Sequence, residues 1–293
     1  MHQIANMVHQ HGTLVLWKRA LAIRGAMPRR ASAKKILVLL AVCWLRLPVA
    51  SLQAQGAGAN PGQTAQTGSA QRDASWEKLP LNFLVDQKNI WLFPIQLAHG
   101  RHWLPTVCVL GATTSLLFAD SHDAPYFRKT MSFQGFNRGF SGSITASEIA
   151  LVPASFYAAG LLRNDSYSEK TALLAGEAVA DSLALNLVLK MASRRLRPSQ
   201  IAPTGSFSDT FFRSNASLLN GSFPSAHAMA AFSVAAIFAR RYRDHRWVPW
   251  VAYGMAGVIS FSRISLQSHF PSDVFLGAAL AYPIARFVVL EGQ

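Results

Sequence analysis

Charge is what this chain has least of. Only 14% of its 293 residues are Asp, Glu, Lys or Arg, and only 14 are acidic. With 51% hydrophobic residues and a mean hydropathy of +0.19, such a chain lacks the charged surface of an ordinary soluble domain. A helical membrane protein or a heavily buried helical bundle is expected. Cysteine is nearly absent as well. The two present, Cys43 and Cys108, both lie in apolar stretches, which excludes a disulfide framework. Acids are missing altogether from residues 1–54, which hold eight Lys and Arg. Without that segment 20 basic residues face 14 acidic ones, a net charge of +6 rather than +14. The basicity therefore belongs largely to the leader, and no nucleic-acid partner is expected. His99 and His102 stand three apart with no acidic or thiol partner nearby, so no metal site is expected there.

Three regions follow from composition. Residues 1–54 read as a leader with a signal peptide or anchor. Arg29, Arg30, Lys34 and Lys35 precede the apolar run Ile36 to Trp44, and small residues follow at Val49-Ala50-Ser51. Met27 would begin a leader of ordinary length. Residues 55–75, rich in Gly, Ala, Gln, Ser and Thr, cannot bury a core and read as a flexible linker. Residues 76–293 form the helical-bundle domain. Its first part, 76–102, mixes Trp76, Phe83, Trp91 and Phe93 with charges, as short amphipathic helices at a membrane interface or across the bundle do.

Six apolar helices are expected at about 103–119, 144–162, 171–192, 227–241, 247–264 and 273–290. The fold class is all-α: a six-helix bundle, embedded in a membrane, with its polar clusters gathered at one end. Several of these helices are shorter than the ~20 residues a span needs. Glu148, Glu177 and Asp181 are costly in lipid unless they face inward. Arg240, Arg241, Arg243 and Arg246 crowd the fourth turn, which the positive-inside rule assigns to the cytoplasm. An export signal followed by six spans would instead put the opposite end, where the polar clusters gather, in the cytoplasm. The alternatives are an odd number of spans, a signal-like stretch that does not set topology, or a soluble exported bundle.

Three polar clusters interrupt the apolar pattern between Lys190 and Asp273: Lys190 with Arg197-Pro198, then Pro224-Ser225-Ala226-His227, then Ser262-Arg263 with His269 and Asp273. Singly, each has an ordinary explanation: a solvated helix end, a helix start, a core histidine. Together they supply the groups for phosphoryl transfer, which needs positioning and charge neutralisation more than covalent chemistry. Lys190, Arg197 and Arg263 could neutralise phosphate oxygens. Ser225 and the N–H groups beside it, Ala226 included, could add hydrogen bonds at the positive end of a helix. His269 and Asp273, four apart, can share one helical face. A carboxylate bonded to one ring nitrogen leaves the other free as a nucleophile. His227 is then the natural general acid for the leaving oxygen. An up-and-down bundle brings the three clusters to one end, beneath the 199–224 loop as a lid.

The clusters resemble the signature of the type 2 phosphatidic acid phosphatase and vanadium haloperoxidase superfamily: K-x6-RP, PSGH and SR-x5-H-x3-D. Lys190, Arg197 and Pro198 match the first part, Pro224, Ser225 and His227 the second, and Ser262, Arg263, His269 and Asp273 the third. Ala226 stands where the family usually has Gly, so backbone approaches phosphate there past one extra methyl group. The resemblance covers about residues 100–290. It implies a metal-independent phosphatase without a cofactor, in which His269 forms a phosphohistidine, Asp273 holds its ring and His227 protonates the leaving group. The substrates implied are phosphate monoesters or pyrophosphates, most naturally of lipids: phosphatidic acid, a prenyl pyrophosphate or a lipid A phosphate. The expected location is a bacterial inner membrane with a periplasm-facing site. The alternatives are a soluble periplasmic acid phosphatase acting on small esters, a vanadium-dependent haloperoxidase and a non-catalytic membrane scaffold. The sequence carries no reading of oligomeric state.

Overall fold

A computed structural model describes residues 74–140 and 142–291. The expected leader and nearly all of the expected linker lie outside the described residues. Eight α-helices are present, with no strand among the described residues: α1 (Leu79–Ala98), α2 (Trp103–Lys129), α3 (Gln134–Asn137), α4 (Gly142–Arg163), α5 (Ser166–Ser193), α6 (Ala226–Arg241), α7 (Val248–Ser265) and α8 (Pro271–Pro283). A 3₁₀ turn at Pro198–Gln200 follows α5, and a π-helical segment at Ile284–Val289 continues α8. The six helices α2 and α4–α8 are the expected bundle, and the expected amphipathic region is one 20-residue helix, α1.

Local chemistry sets the boundaries. Asp165 starts α5 by accepting from the N–H groups of Tyr167 and Ser168 at 3.0 and 3.3 Å. It thereby extends that helix five residues ahead of the expected 171. Arg194, left-handed at φ 43°, ends α5 by donating its N–H to the Lys190 carbonyl at 3.0 Å. Pro271 opens α8 where its missing N–H costs nothing, and Asp273 at the third position accepts the Phe270 N–H at 2.7 Å. The largest departure is α2, which continues to Lys129 instead of ending near 119. Asp120, Ser121, His122 and Asp123 read as a polar stop, yet Asp120 is buried and bonded, so the helix carries on through it.

Helix α6 is the centre of the bundle. Ala228, Met229, Ile237 and Phe238 are at most 1% exposed, between α5, α7, α8 and the π segment. Each large apolar side chain buried this way contributes about 1.5–3 kcal/mol, and the alanines between them let neighbouring helices approach closely. Gly277 of α8 marks a close approach to backbone: a Cβ there would stand 2.8 Å from the Ser225 carbonyl oxygen. That proximity lets the Ser225 N–H donate to the Asp273 carbonyl at 2.9 Å, joining the start of α6 to the start of α8. The α5–α6 seam holds a buried Ser182–Ser233 hydrogen bond at 2.8 Å.

The outer helices are apolar on the outside. Among the described residues, four helical stretches are long and apolar enough to cross a membrane: Trp103–Lys129, Gly142–Arg163, Ser166–Gln200 and Pro271–Val289. Leu104, Phe118, Leu162 and Trp250 are each more than 75% exposed, which suits a lipid-facing belt and not a water-facing one.

Candidate active site

The end of α5, the start of α6 and the α7–α8 connection fall at one end of the bundle, as the motifs require. Lys190 is buried in the last turn of α5, close enough to Arg197 and Asp273 to feel both charges. Arg197 follows in extended backbone, its guanidinium donating to Asn220 Oδ1 at 2.5 Å, while Gln200 Oε1 accepts its N–H at 2.9 Å. Ser225 is fully buried as the N-cap of α6, and Ala226 begins the helix. The chain reaching them is pinned from α5: Asn186 donates to the Pro224 carbonyl at 3.0 Å and Ser193 to the Phe223 carbonyl at 2.9 Å.

Arg263, 1% exposed, donates to the Phe140 carbonyl at 2.5 Å and to Thr145 Oγ1 at 2.8 Å. Phe133 and Phe136 pack on Phe261, with ring centroids 5.2 and 5.8 Å away, and hold this segment against α7. His227 Nε2 donates to the Gly142 carbonyl at 3.1 Å. Burial lowers the His227 pKa to about 4, the Gly142 bond opposing and Arg263, His269 and Lys190 adding to the effect. His227 is therefore neutral in the unliganded protein near pH 7.

His269 lies in the connection before α8 and is 2% exposed. Its Nδ1 is 2.7 Å from the Ser222 carbonyl, an acceptor only, so Nδ1 carries the proton and Nε2 keeps its lone pair. Burial lowers the His269 pKa, with the nearby Asp273 acting in the opposite direction.

Here the structure keeps His269 and Asp273 within ion-pair distance but not in the expected direct hydrogen bond. The two do not share a helical face, because α8 begins only at Pro271, and Nδ1 stands 3.7 Å from Asp273 Oδ2, beyond hydrogen-bond reach. Asp273 is occupied elsewhere. It caps its own helix at Phe270 N–H, accepts from Ser222 Oγ, and pairs with Arg195 Nη1 at 2.6 Å. Ser222 stands between: its hydroxyl meets the carboxylate and its carbonyl meets the imidazole.

Sequence reasoning passed over Arg195, Asp120, Ser222 and Asn186. Arg195 is 2% exposed, and besides Asp273 it reaches Asp120 Oδ2 at 2.6 Å, Ser272 Oγ at 2.7 Å and Thr210 Oγ1 at 3.0 Å. The Phe270 and Phe211 rings lie 4.0 and 4.5 Å from its guanidinium carbon. One signal was available: Asp120 is an acid inside an apolar helix, which requires an inward-facing partner. The 199–224 loop is tied to the same cluster, since the Leu196 N–H donates to the Thr210 carbonyl at 2.9 Å.

Residues 171–291 match the model of the PAP2 superfamily. No curated protein matches the chain. Among solved structures, the chain is similar to the first transmembrane PAP2 type phosphatidylglycerolphosphate phosphatase from Bacillus subtilis. Identity is 20%, coverage is 69% of this chain and 94% of that one, and the TM-score is 0.39. The family match spans all three motif clusters, from Lys190 to Asp273.

Proposed function

We propose that the protein is a phosphatase that hydrolyses phosphate monoesters or pyrophosphates of lipids through a phosphohistidine intermediate. The observation that carries this reading is the state of His269: Nδ1 is committed to the Ser222 carbonyl, leaving Nε2 unprotonated in the field of Lys190 and Arg197. A nucleophile fixed in one tautomer beside clustered cations is what attack on phosphorus requires. Lys190, Arg197 and Arg263 take the phosphoryl oxygens, with Ser225 and the first N–H groups of α6. His269 Nε2 forms the P–N bond as the P–O bond to the leaving group breaks, and His227 gives that oxygen its proton. Water then attacks phosphorus, its proton passing to His227, and inorganic phosphate leaves as the P–N bond breaks.

His227 is neutral before substrate arrives, so the substrate itself must supply the condition for protonation. A phosphate dianion bound beside the ring favours the imidazolium and turns His227 into an acid only when it is needed. The lipid assignment is supported by the apolar belt on the outer helices, which would hold the site beside a bilayer.

Phosphate release from purified protein, over phosphatidic acid, a prenyl pyrophosphate, a lipid A phosphate and p-nitrophenyl phosphate, tests the reading. His269→Ala should lose at least ~10⁴-fold in kcat on every substrate. His227→Ala should lose about 10²–10⁴-fold on an alkyl phosphate and much less on p-nitrophenyl phosphate, whose leaving group is a stable anion. Turnover by His269→Ala near the parent rate would remove the nucleophile, and equal losses on both substrates would remove the acid.

A further inference from the structure

Behind His269 lies a row of buried groups that meets the expected phosphate-binding positions only at the backbone, where the Asp273 carbonyl accepts the Ser225 N–H at 2.9 Å. Asp120 of α2 accepts the Ser272 N–H at 3.2 Å, the Ser272 hydroxyl and Arg195 Nη2, three donors that together suit a carboxylate. Arg195 joins Asp120 to Asp273. Asp273 takes the Ser222 hydroxyl, and Ser222, whose N–H donates to the Arg195 carbonyl at 2.8 Å, turns its own carbonyl to His269 Nδ1. Asp120, Arg195, Asp273 and Ser222 are all at most 2% exposed, so water screens none of these charges well.

We propose that Asp120 and Arg195 are positioning residues for the nucleophile: through Asp273 and Ser222 they hold the His269 ring and set the net charge that it faces. Two carboxylates share one guanidinium, which leaves a single negative charge behind the imidazole. That charge supports the positive ring formed when Nε2 takes up phosphorus, without drawing a proton onto Nε2 beforehand. The other charged or titratable groups facing His269 are Lys190 on α5, Arg197 after it, and His227 on α6. Arg263 on α7 meets it through its carbonyl, which accepts the His269 N–H at 3.2 Å. Those groups are common to every variant below.

The device has a signature that loss of packing would not give. Asp120→Asn removes a negative charge, makes cationic His269 less favourable, and should move the acidic limb of kcat/KM to lower pH. Arg195→Met removes a positive charge and should move the limb to higher pH. Each displacement should be roughly 0.5–1 pH unit, for a charge a short distance away in a poorly screened interior. The double variant Asp120→Asn/Arg195→Met carries the parent's net charge and should return its limb close to the parent's. Asp120→Asn should also lower kcat by about tenfold or more with KM within about twofold, since the phosphate-holding groups are untouched.

The same displacements should appear in the ¹³Cε1 titration of His269 in histidine-labelled protein in detergent, assigned against His269→Ala. This arm needs no turnover, so it separates the proposal from the phosphatase reading on which its kinetic arm rests. Parent protein inert on every substrate would overturn that reading, while the His269 titration moving as stated would still uphold the charge that Asp120 and Arg195 set behind the ring. Asp120→Asn and Arg195→Met moving the titration in the same direction, or not at all, would overturn the proposal. If Arg195→Met does not fold, Asp120→Asn and the double variant decide: the proposal falls if the double variant does not reverse the Asp120→Asn displacement.

Discussion

At the scale of single residues, two histidines with similar surroundings are prepared differently. His269 spends its Nδ1 proton on a carbonyl and keeps Nε2 bare, while His227 spends its Nε2 proton on the Gly142 carbonyl. Both are favoured neutral by burial. For His227 the native pKa of about 4 lies below the ordinary 6.5, so the native state binds fewer protons than the unfolded one between those values. Stability then rises with pH across that window and is lost as pH falls through it. Thermal unfolding in detergent should therefore drop by several degrees between pH 6.5 and pH 4. His227→Gln, which keeps a donor for Gly142 but cannot titrate, should flatten much of that slope, with the His269 contribution remaining. An unchanged slope in His227→Gln would mean that His227 is not held neutral.

At the scale of elements, the site depends on how closely α8 approaches the start of α6. Alanine at 277 would favour the helix by about 1 kcal/mol in propensity. Its Cβ, however, would meet the Ser225 carbonyl oxygen at 2.8 Å and Met229 Cγ at 3.3 Å. The first neighbour is backbone in a buried cap and cannot rotate away, so overpacking of ~1–3 kcal/mol outweighs the gain. Gly277→Ala should lower the melting temperature, and activity by at least about tenfold, because the Ser225–Asp273 backbone bond must open. Gly257→Ala in α7, where a Cβ meets nothing within 4 Å, should be neutral or stabilising. Equal behaviour of the two variants would show that helix approach at Gly277 does not position the site.

At the scale of the whole molecule, the charged turn and the site lie at opposite ends of α6. From His227 to Arg240 the helix rises about 20 Å at 1.5 Å per residue. Arg240, Arg241, Arg243 and Arg246 gather at the far end, which the positive-inside rule would keep in the cytoplasm. The site would then face outward. With Cys43 and Cys108 replaced by Ser, an impermeant maleimide applied to intact cells should label Ser214→Cys in the loop at the site end. It should not label Asp244→Cys in the arginine turn until the cells are opened. The reverse pattern would turn the site to the cytoplasm.

The sequence by itself determined the helices and the end at which the chemistry gathers. Apolar runs of this length can satisfy their backbone only as helices, and Lys190, Ser225 and His269 each stand where a helix ends, begins or turns. Six bundle helices and the convergence of three clusters follow from that periodicity alone. Only the tertiary structure decided what holds His269. The spacing of His269 and Asp273 pointed to a direct pair, but Pro271 delays the helix and gives Asp273 its own N-terminus to cap. The imidazole is left to the Ser222 carbonyl, 47 positions away in the chain. Asp120 and Arg195, 75 positions apart, form an ion pair no local pattern encodes. Burial of both charges in one interior makes them partners, and burial belongs to the packed molecule, not to any stretch of it.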